Sequence, residues 1–185
     1  GSGGINLRNT NNVNVAAAGN GSGGTIYLDA TGGVLTIPTA GGASTLRASG
    51  GGTGAQNGGT IDLRGSDVNV SGIKLALVAN GSDTGNGGTA RIIETGTSGI
   101  TIGDNPGNFC INVQSGLNGG NGGTVDLESQ GTITVDPGCL VTNPRGANGN
   151  GANITLFAGT QGCGGNSGNL VFTGNLIADG VGTGN

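Results

Sequence analysis

The chain has 185 residues, of which 46 are glycine, 9% are charged and 2% are aromatic, and its formal net charge is −4. This length fits one domain, the negative charge disfavours nucleic-acid binding, and no apolar run approaches the roughly 18 residues that span a membrane. Frequent glycine disfavours helices, because each interior glycine costs a helix about 1 kcal/mol. We therefore expect one all-β domain over residues 1–185, with no nucleic-acid partner and no membrane span.

Short segments with alternating apolar residues recur between the glycine runs, which is the spacing of β-strands. Each segment follows Gly-Gly or an equivalent pair, and their first residues are Ile5, Ile26, Ile61, Ala90, Val125 and Ile154. After a short first interval, the spacing of these starts alternates between a longer and a shorter value. A recurring unit of this length is typical of solenoid proteins.

Three short strands can be recognised within one unit. In the third unit they are 61–63, 68–70 and 73–78, and in the fifth they are 125–127, 132–135 and 139–142. A corner rich in Gly and Asn follows the third strand, at 50–59, 81–88, 116–123 and 146–151. This pattern predicts a right-handed parallel β-helix (β-solenoid) of about six three-stranded coils, roughly 29 Å long. An antiparallel sandwich is less favoured, since it would not keep aligned columns across six repeats.

Apolar columns are expected to hold the coils together. The second inward position of the first strand is aliphatic in every unit: Leu7, Leu28, Leu63, Ile92, Leu127 and Leu156. The residue between the two inward positions should point outward, and it is mostly polar: Asn6, Tyr27, Asp62, Arg91, Asp126 and Thr155. At the corners, Asn side chains are expected to hydrogen-bond between adjacent coils.

Two outward columns are candidate functional features. Asp62, Arg91 and Asp126 on consecutive coils could be a pair of catalytic carboxylates flanking a cation, but we favour a charge ladder in which Arg91 separates two acids. Threonines at one position, with Gly4 and Asn153 at the column ends, could order water on ice or simply favour a strand start. These threonines are Thr25, Thr60, Thr89 and Thr124.

The cysteines give a sharper prediction. Cys110 precedes Thr124 by the same number of positions as Cys139 precedes Asn153, so the two should be neighbours on adjacent coils, in one column with Leu46 and Leu75. The expected separation of about 4.8 Å falls within the Cα range of disulfides. A disulfide between coils and two stacked buried thiols both remain open, since the alternation of Phe109, Ile111 and Val113 would turn the cysteines outward. Cys163, in the insertion 159–168, pairs with a neighbour or stays free.

Catalytic, cofactor-binding and metal sites are not predicted. The chain has no histidine and a single lysine, Lys74, which disfavours the acid–base clusters of pectin-degrading β-helices. The corner that begins at Asp83 lacks the repetitive calcium-binding motif and is interpreted as a solvated loop. We therefore do not expect an enzyme.

The repeated motif resembles one known family. Gly-Gly-Thr-Ile-Asp-Leu (58–63), Gly-Gly-Thr-Val-Asp-Leu (122–127) and Gly-Ala-Asn-Ile-Thr-Leu (151–156) are similar to the filamentous haemagglutinin-like β-helices, which are surface or secreted adhesins of Gram-negative bacteria and cyanobacteria. The chain departs from them in lacking a secretion domain and in its irregular coil length. The resemblance implies an extracellular or cell-surface filament, sheath or adhesin that associates end to end through strand edges and contacts glycans or matrix. A carbohydrate-binding or ice-binding module is the alternative.

The two ends of the sequence suggest a head-to-tail arrangement. Gly184-Asn185 followed by Gly1-Ser2-Gly3-Gly4 would repeat the corner at 19–24. The distance from Ile154 through this junction to Ile5 is close to the length of one coil. The chain is therefore hypothesised to be one unit of a tandem or head-to-tail array.

Overall fold

The fold is an all-β parallel β-solenoid of about five turns, which confirms the predicted fold class. It is seen in a computed structural model that describes residues 3–7, 12–39, 44–159 and 168–185. Among these residues, no helix has the length and apolar character needed to cross a membrane. The right-handed winding of the coils stays a prediction.

Sixteen strands and one short 3-10 turn make up the described part of the chain. In chain order the strands are β1 (Ile5–Asn6), β2 (Asn12–Asn14), β3 (Thr25–Thr39), β4 (Ser44–Arg47), β5 (Ala55–Gln56), β6 (Thr60–Gly72), β7 (Leu75–Val78), β8 (Ser82–Asp83), β9 (Thr89–Glu94), β10 (Ile100–Ile102), β11 (Phe109–Asn112), β12 (Thr124–Ser129), β13 (Ile133–Val135), β14 (Leu140–Val141), β15 (Asn153–Ala158) and β16 (Leu170–Phe172). The 3-10 turn is Pro137–Cys139.

The first wall consists of the first halves of β3 and β6 together with β9, β12 and β15. Its parallel pairing confirms the predicted columns, because Ile26, Ile61, Ala90, Val125 and Ile154 are successive partners. Leu28, Leu63, Ile92, Leu127 and Leu156 form the next inward column. The inner coils bury these side chains fully, whereas Leu28 and Leu156 near the two ends are only half-buried. Stacking therefore builds the core from thin aliphatic columns.

Two further walls complete the inner coils. The second wall contains two separate groups of paired strands, β1 with the second halves of β3 and β6, and then β10, β13 and β16. The third wall contains β2, β4, β7, β11 and β14, with a buried column at Leu46, Leu77, Ile111 and Leu140. In the coil that begins at Thr89, the three strands are β9, β10 and β11.

The predicted position of the first unit is wrong. Ile5 pairs with Leu35 on the second wall, not with Ile26, and the amide of Leu7 donates to the carbonyl of Thr36. The interval from Ile5 to Ile26 is too short for a coil, since it falls well below every later interval between unit starts. The first wall thus has five levels rather than six. The stretch from Ile154 through the joined chain ends to Ile5 would lead from the first wall to the second, so its likeness to one coil length does not support the array. The head-to-tail array itself stays a hypothesis.

Strand boundaries also differ from those predicted. The first two strands of the third unit form one bent strand, β6, and Ile73 is 41% exposed between β6 and β7. Cys139 lies in the 3-10 turn, because Asp136 caps that turn by accepting a hydrogen bond from the amide of Gly138. Two of the corners are not irregular, since β5 and β8 pair antiparallel across adjacent coils.

A continuous asparagine ladder runs along the corner that precedes the first wall. The side-chain oxygen of each rung accepts a hydrogen bond from the backbone amide of the rung in the next coil, over 2.8 to 3.3 Å. The rungs are Ser22, Asn57, Asn86, Asn121, Asn150 and Asn185. Corner asparagines therefore do hydrogen-bond between coils, as the sequence predicts.

Removing one central rung should weaken the fold measurably. In Asn86→Ala the amide of Asn121 loses its 2.8 Å acceptor, and we expect the free energy of unfolding to fall by about 1 kcal/mol. The exposed Asn175 provides the matched control, and Asn175→Ala should leave the urea unfolding midpoint unchanged. Equal midpoints for the two variants would contradict a stabilising role for the ladder.

Candidate functional site

The outer surface of the first wall carries the predicted threonine column. Thr25, Thr60, Thr89 and Thr124 are successive partners in the parallel sheet, and Asn153 is the next one along. Gly4 is not part of this column, because it lies against Val34 on the second wall. Thr25 and Asn153 are exposed, whereas the three central threonines are half-buried.

The charged column lies beside the threonines, and Arg91 does not pair with both acids of the column. Asp62, Arg91 and Asp126 are in register on consecutive coils. Arg91 lies 2.9 Å from Asp126 and 2.9 Å from Glu128, whereas Asp62 receives two hydrogen bonds from Arg64, at 2.9 and 2.7 Å. Each acid of the column thus has a cationic partner, which is what a charge-compensated surface requires.

Burial and charge act in opposite directions on Asp126. Loss of solvent raises the pKa of its carboxyl group, and the neighbouring Arg91 guanidinium only partly offsets this. On β3, beside Arg64, hydrogen bonds from the Thr31 and Tyr27 hydroxyls and the Thr31 amide lower the pKa of Asp29 to about 2. The guanidinium of Arg64 lies 5.3 Å from the centre of the Tyr27 ring. Both arginines are thus held in a network of carboxylates and an aromatic ring.

A buried acid, Glu94, lies at the inner end of the first wall. It occupies an inward position of β9, is 2% exposed, and pairs with Gly65 on one side and Ser129 on the other. Its Oε1 accepts hydrogen bonds from the Gly99 amide at 2.6 Å and the Ser129 hydroxyl at 3.2 Å. Burial is the largest influence and raises the pKa of Glu94. The alternation Ala90, Ile92, Glu94 was the signal in the sequence that would have found it.

Glu94 should make stability depend on pH. Because its pKa is raised in the folded state, its favourable contribution is complete below the ordinary glutamate value and is lost as pH rises through the folded value. We expect Glu94→Gln to melt at the same temperature as the wild type in acid and above it at neutral pH. Thermal unfolding followed across this pH range measures the difference, with the exposed Asp179→Asn as control. A difference that does not grow with pH would contradict this assignment.

The structure contains a disulfide between Cys110 and Cys139, with the two Cα atoms 4.6 Å apart. The predicted column mates are wrong, since Cys110 is aligned with Ala76, and Ala76 with Thr45, rather than with Leu46 and Leu75. Corner lengths differ between coils, so counting back from the first wall shifts the register by one residue. Phe109, Ile111 and Val113 point inward, so the disulfide bridges adjacent coils on the outer side of the third wall. Cys163 lies outside the described residues.

A groove of about 560 Å³ runs past this disulfide. Its apolar lining comes from third-wall residues such as Ala76, Val78 and Val141, and its charged lining is Lys74, Asp104 and Asp136. The ammonium group of Lys74 contacts Oδ1 of Asp104. Carboxylate, ammonium and sulfur atoms therefore face one solvent-open space.

At the corner that begins at Asp83, both oxygens of the carboxylate accept hydrogen bonds. Its Oδ1 accepts a 2.6 Å hydrogen bond from the Asn118 side-chain amide, and its Oδ2 accepts one from the Gly54 backbone amide. These two hydrogen bonds lower the pKa of Asp83. The carboxylate thus joins three adjacent corners.

A comparison with protein-family models, curated proteins and solved structures found no match to this chain. The function proposed for the chain therefore rests on its fold, on the outward columns of the first wall and on the groove beside the disulfide.

Proposed function

We propose that the chain is a structural unit of an extracellular or cell-surface filament, sheath or adhesin of the filamentous haemagglutinin-like kind. Its coils stack into a stiff rod, and the rod lengthens by end-to-end association with a second copy through open strand edges. The outer walls then present a charge-compensated polar surface to glycans or matrix.

The exposure of the last described coil supports this proposal most directly. Leu170 and Phe172 occupy the same columns as Ile133 and Val135, one coil further on. Ile133 and Val135 are 0% exposed, whereas Leu170 and Phe172 are 46% and 42% exposed. Apolar side chains in core columns gain about 25 cal/mol for each Å² that a further coil removes from water. Leu176 and Ile177 add 39% and 51% exposed side chains to the same end of the rod.

The backbone at both ends of the rod is suited to the same contact. β15 and β16 are edge strands at one end, and β1 and β2 are edge strands at the other. Unpaired edges offer backbone donors and acceptors to another strand. Because all neighbouring strands of the three walls are parallel, a second copy in the same orientation extends the walls without reversing the chain direction.

Sedimentation velocity tests end-to-end association. The wild type should form larger species as its concentration rises, and negative-stain electron microscopy should show unbranched rods. A double variant, Leu170→Asp with Phe172→Asp, should remain monomeric, because a buried unpaired charge opposes stacking. Leu117→Asp is the matched control: Leu117 is 62% exposed but lies on a corner loop at the side of the rod, so association should persist. A wild type that stays monomeric throughout, or equal association of both variants, would refute the proposal.

Carbohydrate binding is a second candidate, favoured by a groove of about 350 Å³ at the end of the first wall. Phe157, which is 38% exposed, lines it together with Glu128 and Gln130. An aromatic face beside polar side chains suits a sugar ring. Glycan-array binding that is lost in Phe157→Ala would support this candidate, and binding that is unchanged would exclude this groove. Ice binding by the threonine column stays a prediction that thermal hysteresis would test.

A further inference from the structure

We propose that Cys110, Cys139 and Asp104 form a binding site for a thiophilic divalent cation, such as Zn²⁺, when the disulfide is reduced. The site would switch between two states: a covalent bridge under oxidising conditions and a metal bridge under reducing ones. This proposal does not rest on the filament proposal, because it concerns the outer side of the third wall and not the ends of the rod.

The three side chains already place their donor atoms together. The two sulfurs and a carboxylate oxygen of Asp104 lie within 4.8 Å of one another. In a tetrahedral zinc site with Zn–S bonds of about 2.3 Å, two sulfurs lie about 3.8 Å apart. The 4.6 Å separation of the cysteine Cα atoms, on adjacent coils, can accommodate that distance by side-chain rotation. Two adjacent coils can therefore supply the ligands without moving apart.

The neighbouring groove gives both reductant and metal a route to the site. Cys110 is half-buried, Cys139 is 7% exposed, and both line the 560 Å³ groove. Three protein ligands leave the fourth tetrahedral position to water from this groove. Thiolate donors select zinc-like ions over Mg²⁺ and Ca²⁺, which prefer oxygen ligands alone.

Two charged side chains in the groove change the affinity of the site for a cation. Lys74 contacts Oδ1 of Asp104, so its ammonium group orients the carboxylate but also repels a cation. Asp136 lines the same groove and adds negative charge. Replacing Lys74 should therefore strengthen metal binding.

Conversion of the disulfide state to the metal-binding state is a two-electron reduction. A thiol or phosphine reductant supplies two electrons, the bond between the two sulfurs breaks, and each sulfur takes up one proton while the reductant is oxidised. Metal binding then displaces both protons as the sulfurs coordinate as thiolates. In the reverse direction a low-molecular-weight disulfide accepts two electrons from the two thiolates and is reduced to two thiols, the bond between the two sulfurs re-forms, and the metal ion is released.

Cobalt titration of the reduced protein tests the site, in a Cys163→Ser background that removes the third thiol. After reduction with a phosphine under argon, Co²⁺ should bind at one equivalent with thiolate-to-cobalt charge-transfer absorption, and Zn²⁺ should displace it. Asp104→Asn should weaken binding about tenfold or more. Lys74→Gln should strengthen it about threefold, and Asp179→Asn should leave it unchanged.

Three outcomes would overturn the proposal. They are no charge-transfer absorption in the reduced protein, the same absorption in the unreduced protein, and equal affinity in Asp104→Asn and its parent. The aspartate is 70% exposed, so its substitution tests coordination rather than folding.

Discussion

Replacing Gly88 with alanine is expected to destabilise the solenoid by about 3 kcal/mol or more. A Cβ atom at this position would overlap the carbonyl oxygen of Gly59 in the adjacent coil and lie 2.7 Å from the carbonyl carbon of Gly58. Both are backbone atoms, so the coils themselves would have to separate. Gly88 also closes its own coil, because its amide donates a 2.7 Å hydrogen bond to Ala79. Urea unfolding followed by far-UV circular dichroism measures the loss.

The matched control is Gly19→Ala. Gly19 lies in a corner of similar sequence, but an added Cβ would meet no atom within 4 Å. We expect its unfolding midpoint to equal that of the wild type. Equal stability of Gly88→Ala and Gly19→Ala would contradict the close approach of the two backbones at Gly88. It would do so even if the strands pair as described.

Removing the disulfide is the second change with a large expected effect. Cys110 and Cys139 are 29 residues apart, and closing a loop of this length restricts the unfolded chain by about 3 to 4 kcal/mol. The double variant Cys110→Ala with Cys139→Ala should lose about that much stability in metal-free buffer. Chemical denaturation without reductant measures it.

Cys163→Ser serves as the control for this experiment, because it removes the third cysteine but leaves the bridge between Cys110 and Cys139 intact. Its denaturation midpoint should match that of the wild type under oxidising conditions. If the double variant also matched the wild type, the disulfide would contribute nothing to stability, and a covalent link between these coils would be contradicted.

The first wall could be predicted because its motif ties a glycine corner to a fixed strand start. The first inward residue of each first-wall strand stands two positions after the second member of the Gly-Gly pair or its equivalent, so the corner fixes the register of the strand that follows it. These residues are Ile26, Ile61, Ala90, Val125 and Ile154. Ile5 departs from this pattern, because it directly follows Gly3-Gly4 with no residue between them, and it belongs to the second wall. A glycine pair therefore marks a corner, and the spacing after the pair matters for the wall to which the next strand belongs.

The disulfide partners could be predicted, whereas their column mates could not. Cys110 and Cys139 precede the first wall by equal stretches of chain, because the connection from β11 to β12 (113–123) is as long as that from β14 to β15 (142–152). The stretch from Ala76 to Thr89 is shorter by one residue, since the connection from β7 to β9 (79–88) is shorter. Within each wall the strands pair in register whatever the length of the loop before them. Differences in loop length therefore change the corners and not the strand pairing, so counting residues back through a corner gives the wrong partner.

Side-chain partners along one strand were the other feature that column reasoning missed. Asp62 pairs with Arg64 on its own strand, and Arg91 reaches Glu128 as well as Asp126. Outward residues two apart on a strand are neighbours on one face, so these contacts compete with those between coils. Side-chain length decides whether an arginine pairs with an acid on its own strand or with one on the neighbouring coil. The alignment of columns in the sequence contains no information on that length.

A crystal structure of residues 1–185 tests the coil register most directly, through the Cα distances along the first wall. We expect successive Cα atoms of one column to lie about 4.8 Å apart, with Ile5 beside Leu35. The column consists of Leu28, Leu63, Ile92, Leu127 and Leu156. Leu63 and Leu127 on separate walls, or Ile26 and Ile61 facing solvent, would contradict it.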